Sequence, residues 1–150
     1  MQKPIYVVNG PNLNRLGTRE PEIYGRTTLK EIEAMCRQAA GGRAVVFRQS
    51  NAEHEIIATI HEAIDEGAGI VINPAALSFT SIAILDALKM FPGPIIELHI
   101  SNIHRREAIY HHSLMSRAAT AVIAGLGPDG YATAVASLLR ILDKAPAPAA

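Results

Sequence analysis

The chain reads IYVVNGP from Ile5 to Pro11, a short apolar run that ends at a turn signal. Four apolar residues are fewer than the hydrophobic region of a signal peptide contains. A brief run rich in valine and isoleucine is instead typical of a strand that is buried on both faces of a sheet. Four more runs of this kind follow, at Ala44–Phe47, Gly69–Ile72, Ile95–Leu98 and Thr120–Ala124.

Longer amphipathic segments separate these runs and predict helices, over Thr28–Ala40, Ala52–Glu66, Ser81–Met90 and Gly130–Asp143. Strands that alternate with helices form right-handed crossovers and therefore a parallel sheet. We predict an α/β, flavodoxin-like fold, a single domain over residues 1–144 with a five-stranded parallel sheet and helices on both faces. The Ala/Pro-rich tail, residues 145–150, is predicted to be disordered.

The composition argues against several classes of partner. The 150 residues fit one domain and carry 14 basic and 14 acidic side chains, so the formal net charge is zero. A neutral protein has no bulk attraction for nucleic acid or for an anionic membrane, and we expect neither as a partner. The one cysteine, Cys36, favours a reducing, cytoplasmic compartment. No spacing among the six histidines matches a zinc site, so we expect no metal and no cofactor.

Three polar loops follow predicted strands at the edge where such sheets bind ligands, beyond the carboxyl ends of the strands. They are residues 9–25, Asn73–Ala76 and His99–Asn102. The first loop is 17 residues long, where roughly 2–6 residues are usual for such a connection. A loop of that length at the ligand edge is predicted to act as a lid.

Tyr24 and Arg19 lie five residues apart in this first loop. A tyrosine acts as a base near neutral pH only where a cation stabilises its phenolate form, and an arginine does so without losing its own charge. The alternative is a packing tyrosine beside a solvated arginine. The pair alone does not decide between these interpretations.

His99 ends the fourth predicted strand and is followed by Ile100 and Ser101. A histidine at this point is suited to donate a proton to a leaving group, while the following backbone amides and the Ser101 hydroxyl receive a carboxylate. Glu97, two residues earlier, shares its face of the strand and is placed to orient the imidazole ring. A purely structural histidine is the alternative.

Taken in order, a series of motifs resembles the signature of the type II 3-dehydroquinate dehydratase family. The motifs are NGPNLNRLG at Asn9–Gly17, REP at Arg19–Pro21, YG at Tyr24–Gly25, QSN at Gln49–Asn51, Glu53, NPAA at Asn73–Ala76, TS at Thr80–Ser81, DA at Asp86–Ala87, ELHISN at Glu97–Asn102 and GLG at Gly125–Gly127. The resemblance extends from Ile5 to about Leu142. A series of this length in one order is specific for a fold and a family.

The resemblance implies a homododecamer, a tetramer of trimers, in which Asp86 reaches the site of a neighbouring subunit. It implies a metal-free hydro-lyase that converts 3-dehydroquinate to 3-dehydroshikimate by trans elimination through an enolate. That reaction belongs both to the shikimate pathway of aromatic amino acid biosynthesis and to quinate catabolism.

The family's site residues carry over onto matching positions of this chain. Tyr24 would be the base, with Arg19 holding its phenolate form. Asn12 would stabilise the enolate through a water, and His99 would protonate the departing hydroxyl. The residues that would hold the substrate carboxylate are Asn73, Ile100 and Ser101.

Three positions depart from the family pattern. Relatives usually carry histidine at the position of Phe79 and arginine at that of Tyr110, and these two groups are expected to bind ring hydroxyls of the substrate. Leu85 also stands where arginine is common. A lost hydrogen bond to substrate typically costs about 1–3 kcal/mol, so two losses predict transition-state binding weaker by a factor on the order of 10²–10⁴. The chain resembles a diverged member whose recognition residues have changed.

Three functions remain open from the sequence. The first is a dehydratase in which the Tyr110 hydroxyl or His111 replaces the missing arginine. The second is a paralogue that uses the same base and acid on a related keto acid with fewer hydroxyls. The third is a weakly active oligomer kept for binding or regulation. The joint presence of the base, its arginine, Asn12 and His99 argues against the third.

Overall fold

The computed structural model describes residues 2–145 and contains one five-stranded parallel sheet in the order β2-β1-β3-β4-β5. The strands are β1 (Ile5–Asn9), β2 (Val45–Gln49), β3 (Gly69–Asn73), β4 (Ile95–His99) and β5 (Ala121–Ala124). This is the flavodoxin-like strand order, so the predicted fold class is confirmed. Residues 146–150, most of the predicted tail, lie outside the described residues.

The helices are α1 (Pro21–Tyr24), α2 (Leu29–Ala40), α3 (Glu53–Glu66), α4 (Ile82–Lys89) and α5 (Asp129–Lys144). Helices α2 and α5 pack on one face of the sheet, whereas α3 and α4 pack on the other. The four longer helices begin and end within one residue of the predicted bounds, and the strands within two. The single turn of α1 was not predicted. No helix within residues 2–145 is long and apolar enough to cross a membrane.

The central strands β1, β3 and β4 are buried at every residue. Their side chains alternate between the two faces of the sheet and supply two separate cores. Val7 and Val71 pack against α2 and α5, while Tyr6 and Ile70 pack against α3 and α4. Burial on both faces explains why these strands are continuous apolar runs rather than alternating ones.

The carboxyl ends of β1 and β3 approach each other closely just beyond the sheet. The Gly10 amide donates to the Asn73 carbonyl oxygen at 2.8 Å. A Cβ atom at Gly10 would lie 2.3 Å from the Pro74 carbonyl oxygen, so only glycine fits there. This contact joins two of the three loops that the sequence placed at the ligand edge.

The long segment between β1 and α2 is anchored at its start and exposed at its middle. A 3₁₀ turn over Leu13–Arg15 buries Leu13, and Leu16 is buried in the same core. Residues 18–23 have intermediate or exposed side chains. Glu20 adopts a left-handed backbone (φ 35°) immediately before α1, which turns the chain so that Tyr24 packs back against the core.

Candidate active site

A cavity lies beyond the carboxyl ends of β1, β3 and β4, and we call it the edge cavity. Nine of the eleven side chains that the sequence predicts for the site line it: Asn12, Arg19, Tyr24, Asn73, Phe79, His99, Ile100, Ser101 and Tyr110. They come from all three of the predicted ligand-edge loops and from the turns that follow them. The other two, Glu97 and Asp86, lie behind the cavity and on the outer surface of the subunit respectively.

Two guanidinium groups flank the ring of Tyr24. The Cζ atom of Arg19 is 4.9 Å from the ring centroid, and that of Arg106 is 5.7 Å away. A guanidinium within about 6 Å of a ring centroid makes a cation–π contact, so both arginines hold the Tyr24 ring in place. Arg106 was not among the predicted site residues. Its signal in the sequence was a pair of arginines, Arg105 and Arg106, shortly after the strand end at His99.

His99 is held from behind by a buried carboxylate. The Nε2 atom of His99 lies 2.5 Å from Oε2 of Glu97. The Glu97 side chain has no exposed surface. Its other carboxylate oxygen, Oε1, accepts a hydrogen bond from the Ser116 hydroxyl at 2.6 Å. Burial alone would raise the pKa of Glu97, but the hydrogen bonds from His99 and Ser116 outweigh it and hold that pKa below its usual value. Glu97 is therefore a carboxylate. It binds Nε2 of His99, and Nδ1 is the other ring nitrogen, available to a ligand in the cavity.

One wall of the edge cavity is aromatic. The Phe79 ring stacks on the His99 ring with centroids 6.0 Å apart, and it meets the Tyr110 ring edge-on at 5.3 Å. The guanidinium of Arg106 lies 4.0 Å from the Tyr110 ring centroid. Phe79 and Tyr110 thus touch each other, and Arg106 connects them to Tyr24.

Polar side chains hold the loop that carries Asn12. Asn12 has a left-handed backbone conformation (φ 71°), and its backbone N–H donates to Oδ1 of Asn51 at 2.9 Å. Gln49 donates from Nε2 to the same Oδ1 atom and to the Gly10 carbonyl oxygen, both at 3.2 Å. The QSN motif after β2 therefore supports the first ligand-edge loop.

A sequence model of the family Dehydroquinase class II matches residues 3–139. The chain belongs to the class II dehydroquinase family. A 3-dehydroquinate dehydratase of Methylobacterium radiotolerans is 56% identical over 149 residues, which are 98% of this chain and 100% of the relative. A 3-dehydroquinate dehydratase of Streptomyces avermitilis is 58% identical over 135 residues, covering 88% and 85% of the two chains. The crystal structure of a type II dehydroquinase from Propionibacterium acnes superposes with a TM-score of 0.89 at 47% identity, over 93% of this chain and 98% of that one.

Two positions of this dehydroquinase lie away from its edge cavity. Asp86 is exposed on α4 and does not line the cavity of its own subunit. Leu85, next to it, is 5% exposed and packs in the core between the sheet and α3/α4, so packing accounts for its apolar side chain. Within residues 2–145 no three His, Cys, Asp or Glu side chains are grouped to hold a metal ion.

Proposed function

We propose that this class II dehydroquinase dehydrates 3-dehydroquinate to 3-dehydroshikimate. The observation that carries the proposal is one cavity with a tyrosine between two guanidinium groups and a histidine backed by a buried carboxylate. A base and an acid held in fixed positions are what an elimination through an enolate requires. The names of the relatives that cover nearly the whole chain support the same reaction.

The base in the proposed reaction is Tyr24. It takes the proton from the carbon next to the ketone, and the electron pair of that bond moves into the ketone to form an enolate. Arg19 is the group proposed to hold Tyr24 as phenolate, and the guanidinium groups of Arg19 and Arg106 lie 4.9 and 5.7 Å from its ring centroid. Asn12 stabilises the enolate oxygen through a water.

The acid in the proposed reaction is His99. As the enolate collapses, the bond to the tertiary hydroxyl breaks and His99 gives that oxygen the proton with which it leaves as water. Glu97 keeps the imidazole in place through its contact with Nε2. The carboxylate of the substrate binds to Asn73 and to the loop of Ile100 and Ser101.

The test of this proposal is a turnover assay with 3-dehydroquinate, followed by the ultraviolet absorbance of the conjugated enone product. Tyr24→Phe removes only the base, so kcat is expected to fall by about 10²–10⁴. Tyr6→Phe, which removes the hydroxyl of a buried tyrosine that does not line the cavity, is the matched control for loss of a phenol. Parental turnover in Tyr24→Phe, or no turnover in the parent chain, contradicts the proposal.

A second candidate function is favoured by the aromatic wall. Phe79 offers no hydrogen bond, and its contacts with His99 and Tyr110 at 6.0 and 5.3 Å make this side of the cavity less polar than a histidine and an arginine would. We propose on this ground that the chain is a diverged member, with weakened binding of the ring hydroxyls of 3-dehydroquinate. A keto acid with fewer hydroxyls is then the alternative substrate.

A double-mutant cycle distinguishes these two substrates. Phe79→His together with Tyr110→Arg is expected to raise kcat/KM for 3-dehydroquinate by more than either change alone, because both would bind adjacent hydroxyls. An analogue without those hydroxyls should gain nothing. A parent chain that already matches the double variant shows that the cavity binds the hydroxyls in another way. A parent that prefers the analogue favours the second substrate.

The proposed assembly is a homododecamer, built as a tetramer of trimers, in which Asp86 reaches a neighbouring cavity. It is supported by the outer face of α4, where Asp86 lies beside two exposed apolar side chains, Ile82 (71%) and Met90 (54%). Light scattering that reports a monomer at assay concentrations would contradict it. A cytoplasmic location is also proposed, since the single cysteine, Cys36, is free and forms no internal disulfide.

A further inference from the structure

A chain of hydrogen bonds runs beneath the edge cavity and connects β2, β1, α5 and β3. Nδ2 of Asn9 donates to the Arg48 carbonyl oxygen at 3.1 Å, and the Tyr131 hydroxyl donates to Oδ1 of Asn9 at 2.7 Å. Nδ2 of Asn73 donates to the Tyr131 oxygen at 2.9 Å, and the Ala75 amide donates to Oδ1 of Asn73 at 3.2 Å. Asn9 and Tyr131 have no exposed surface, and Asn73 has 4%.

The two ends of this chain determine its direction. A backbone carbonyl only accepts and a backbone amide only donates. Asn9 must therefore turn its nitrogen to the carbonyl of Arg48 and its oxygen to Tyr131. Asn73 must turn its oxygen to the amide of Ala75 and its nitrogen to Tyr131. The group between the two asparagines must therefore donate to the oxygen of Asn9 and accept from the nitrogen of Asn73. A hydroxyl can do both, and Tyr131 supplies it.

The direction decides what Asn73 offers to a ligand. Its Nδ2 atom has a second hydrogen, for which no acceptor is found within residues 2–145, and the side chain lines the edge cavity. We propose that Tyr131, which does not line the cavity, is a positioning residue that makes Asn73 a hydrogen-bond donor to the substrate carboxylate. The identity of that acceptor rests on the proposed function.

The chemistry of Tyr131 suits this role. Burial raises the pKa of its phenol far above neutral, and this outweighs the opposite effect of the hydrogen bond from Asn73. The hydroxyl therefore keeps the proton that it donates to Asn9 at any pH near neutral. Without that hydroxyl the nitrogen of Asn73 would lose its buried partner, and the 3.2 Å hydrogen bond from the Ala75 amide alone would hold the side-chain amide against rotation.

A purely structural role for the same chain predicts a different result, and Tyr6 provides the matched control. Tyr6 is 1% exposed and its hydroxyl donates to Oε2 of Glu62 at 2.7 Å, on the opposite face of the sheet from Tyr131. Tyr6→Phe and Tyr131→Phe each remove one buried phenol hydroxyl with one donated hydrogen bond. Only Tyr131→Phe removes a partner of Asn73.

The experiment measures kcat and KM for 3-dehydroquinate in the parent chain, Tyr131→Phe and Tyr6→Phe, each shown by thermal unfolding to be folded at the assay temperature. Tyr131→Phe is expected to raise KM about 10- to 100-fold with a smaller change in kcat, in line with one lost hydrogen bond to a charged group. Tyr6→Phe should stay within twofold of the parent. Equal kinetics in the two variants would overturn the inference.

The same measurement in an Asn73→Ala background tests whether Tyr131 acts through Asn73. There Tyr131→Phe should change kcat/KM by less than twofold, because the group that it orients is gone. A full effect in that background would also overturn the inference. If Tyr131→Phe does not fold, Asn9→Ala interrupts the chain one hydrogen bond farther from the cavity and is expected to raise KM in the same way.

Binding of quinate, measured by calorimetry, separates this inference from the proposed function. Quinate has a hydroxyl where 3-dehydroquinate has its ketone, so it presents the carboxylate but cannot form an enolate. If the parent chain binds quinate but does not turn over 3-dehydroquinate, the proposed reaction is wrong. Weaker quinate binding by Tyr131→Phe, with parental binding by Tyr6→Phe, would still support the role of Tyr131 in that case. Equal binding by all three chains, or no binding by the parent, refutes that role.

Discussion

Glu97→Gln removes the charge behind His99 while it preserves the volume of the side chain and its hydrogen-bonding positions. The amide oxygen can take the place of Oε2, 2.5 Å from Nε2 of His99. The amide nitrogen can donate to the Ser116 hydroxyl oxygen, which lies 2.6 Å from Oε1 in the parent. The variant is therefore expected to fold, and any loss of activity reports the charge.

The size of the loss follows from the two hydrogen bonds to the carboxylate. A hydrogen bond to a charged group contributes about 1.5–3 kcal/mol and a neutral one about 1 kcal/mol, so two bonds lose about 1–4 kcal/mol when the charge is removed. The pair is buried away from water, at 0% exposure for Glu97 and 4% for His99, which favours the upper half of this range. We expect kcat to fall about 70- to 900-fold.

The assay compares kcat and KM at neutral pH for the parent, Glu97→Gln and Ser116→Ala. Ser116→Ala keeps the charge and removes one hydrogen bond, so its kcat should lie between the other two. Glu62→Gln, a change of the same kind at a carboxylate that binds Tyr6 and Arg48, is the control and should keep parental kcat. The reasoning fails if Glu97→Gln keeps kcat within threefold of the parent, or if its loss is confined to KM.

Three further outcomes are expected. The folded protein holds the pKa of Glu97 below its ordinary value of 4.5. The Glu97 carboxylate therefore stabilises the fold above pH 4.5, and this contribution decreases as the pH falls below 4.5. Urea denaturation midpoints between about pH 3 and 6 should depend less steeply on pH in Glu97→Gln than in the parent. Gly10→Ala places a Cβ atom 2.3 Å from the Pro74 carbonyl oxygen. The free energy of unfolding, measured by urea denaturation, should fall by about 1–3 kcal/mol. An unchanged urea midpoint would show that the loops after β1 and β3 move apart at no cost. Arg106→Met removes a cation 5.7 Å from the Tyr24 ring. Loss of one partly screened charge should lower kcat about tenfold. An unchanged kcat would show that Arg106 does not assist Tyr24 and that Arg19 is sufficient.

Much of this arrangement follows from local sequence. The strands were recognisable because burial on both faces makes each a short apolar run, as at Ile5–Asn9. Glu97 and His99 could be paired because residues two apart share a face of a strand. Tyr24 was recognisable because it closes a loop far longer than such connections usually are.

What the sequence did not reveal depends on contacts between distant segments. Arg106 reaches Tyr24 across 82 positions of sequence, from the 3₁₀ turns after β4, whose directions no local pattern predicts. Tyr131 meets Asn73 across 58 positions and Asn9 across 122. In the sequence Tyr131 is one more apolar-face residue of a helix, and only the folded chain shows that its hydroxyl lies between two asparagines.

Helix α5 has a consequence for when the enzyme becomes competent during synthesis. Every residue that lines the edge cavity falls between Pro11 and Tyr110, so the complete set is synthesised before α5 begins at Asp129. Yet the two asparagines beneath the cavity receive their shared partner only when Tyr131 arrives, and α5 also completes the core on the α2 face of the sheet. A nascent chain that ends before Asp129 therefore holds every cavity-lining residue but lacks the hydroxyl that joins the two asparagines beneath them, and on the proposed role of Tyr131 we expect activity to come with the last helix rather than with the last residue of the cavity.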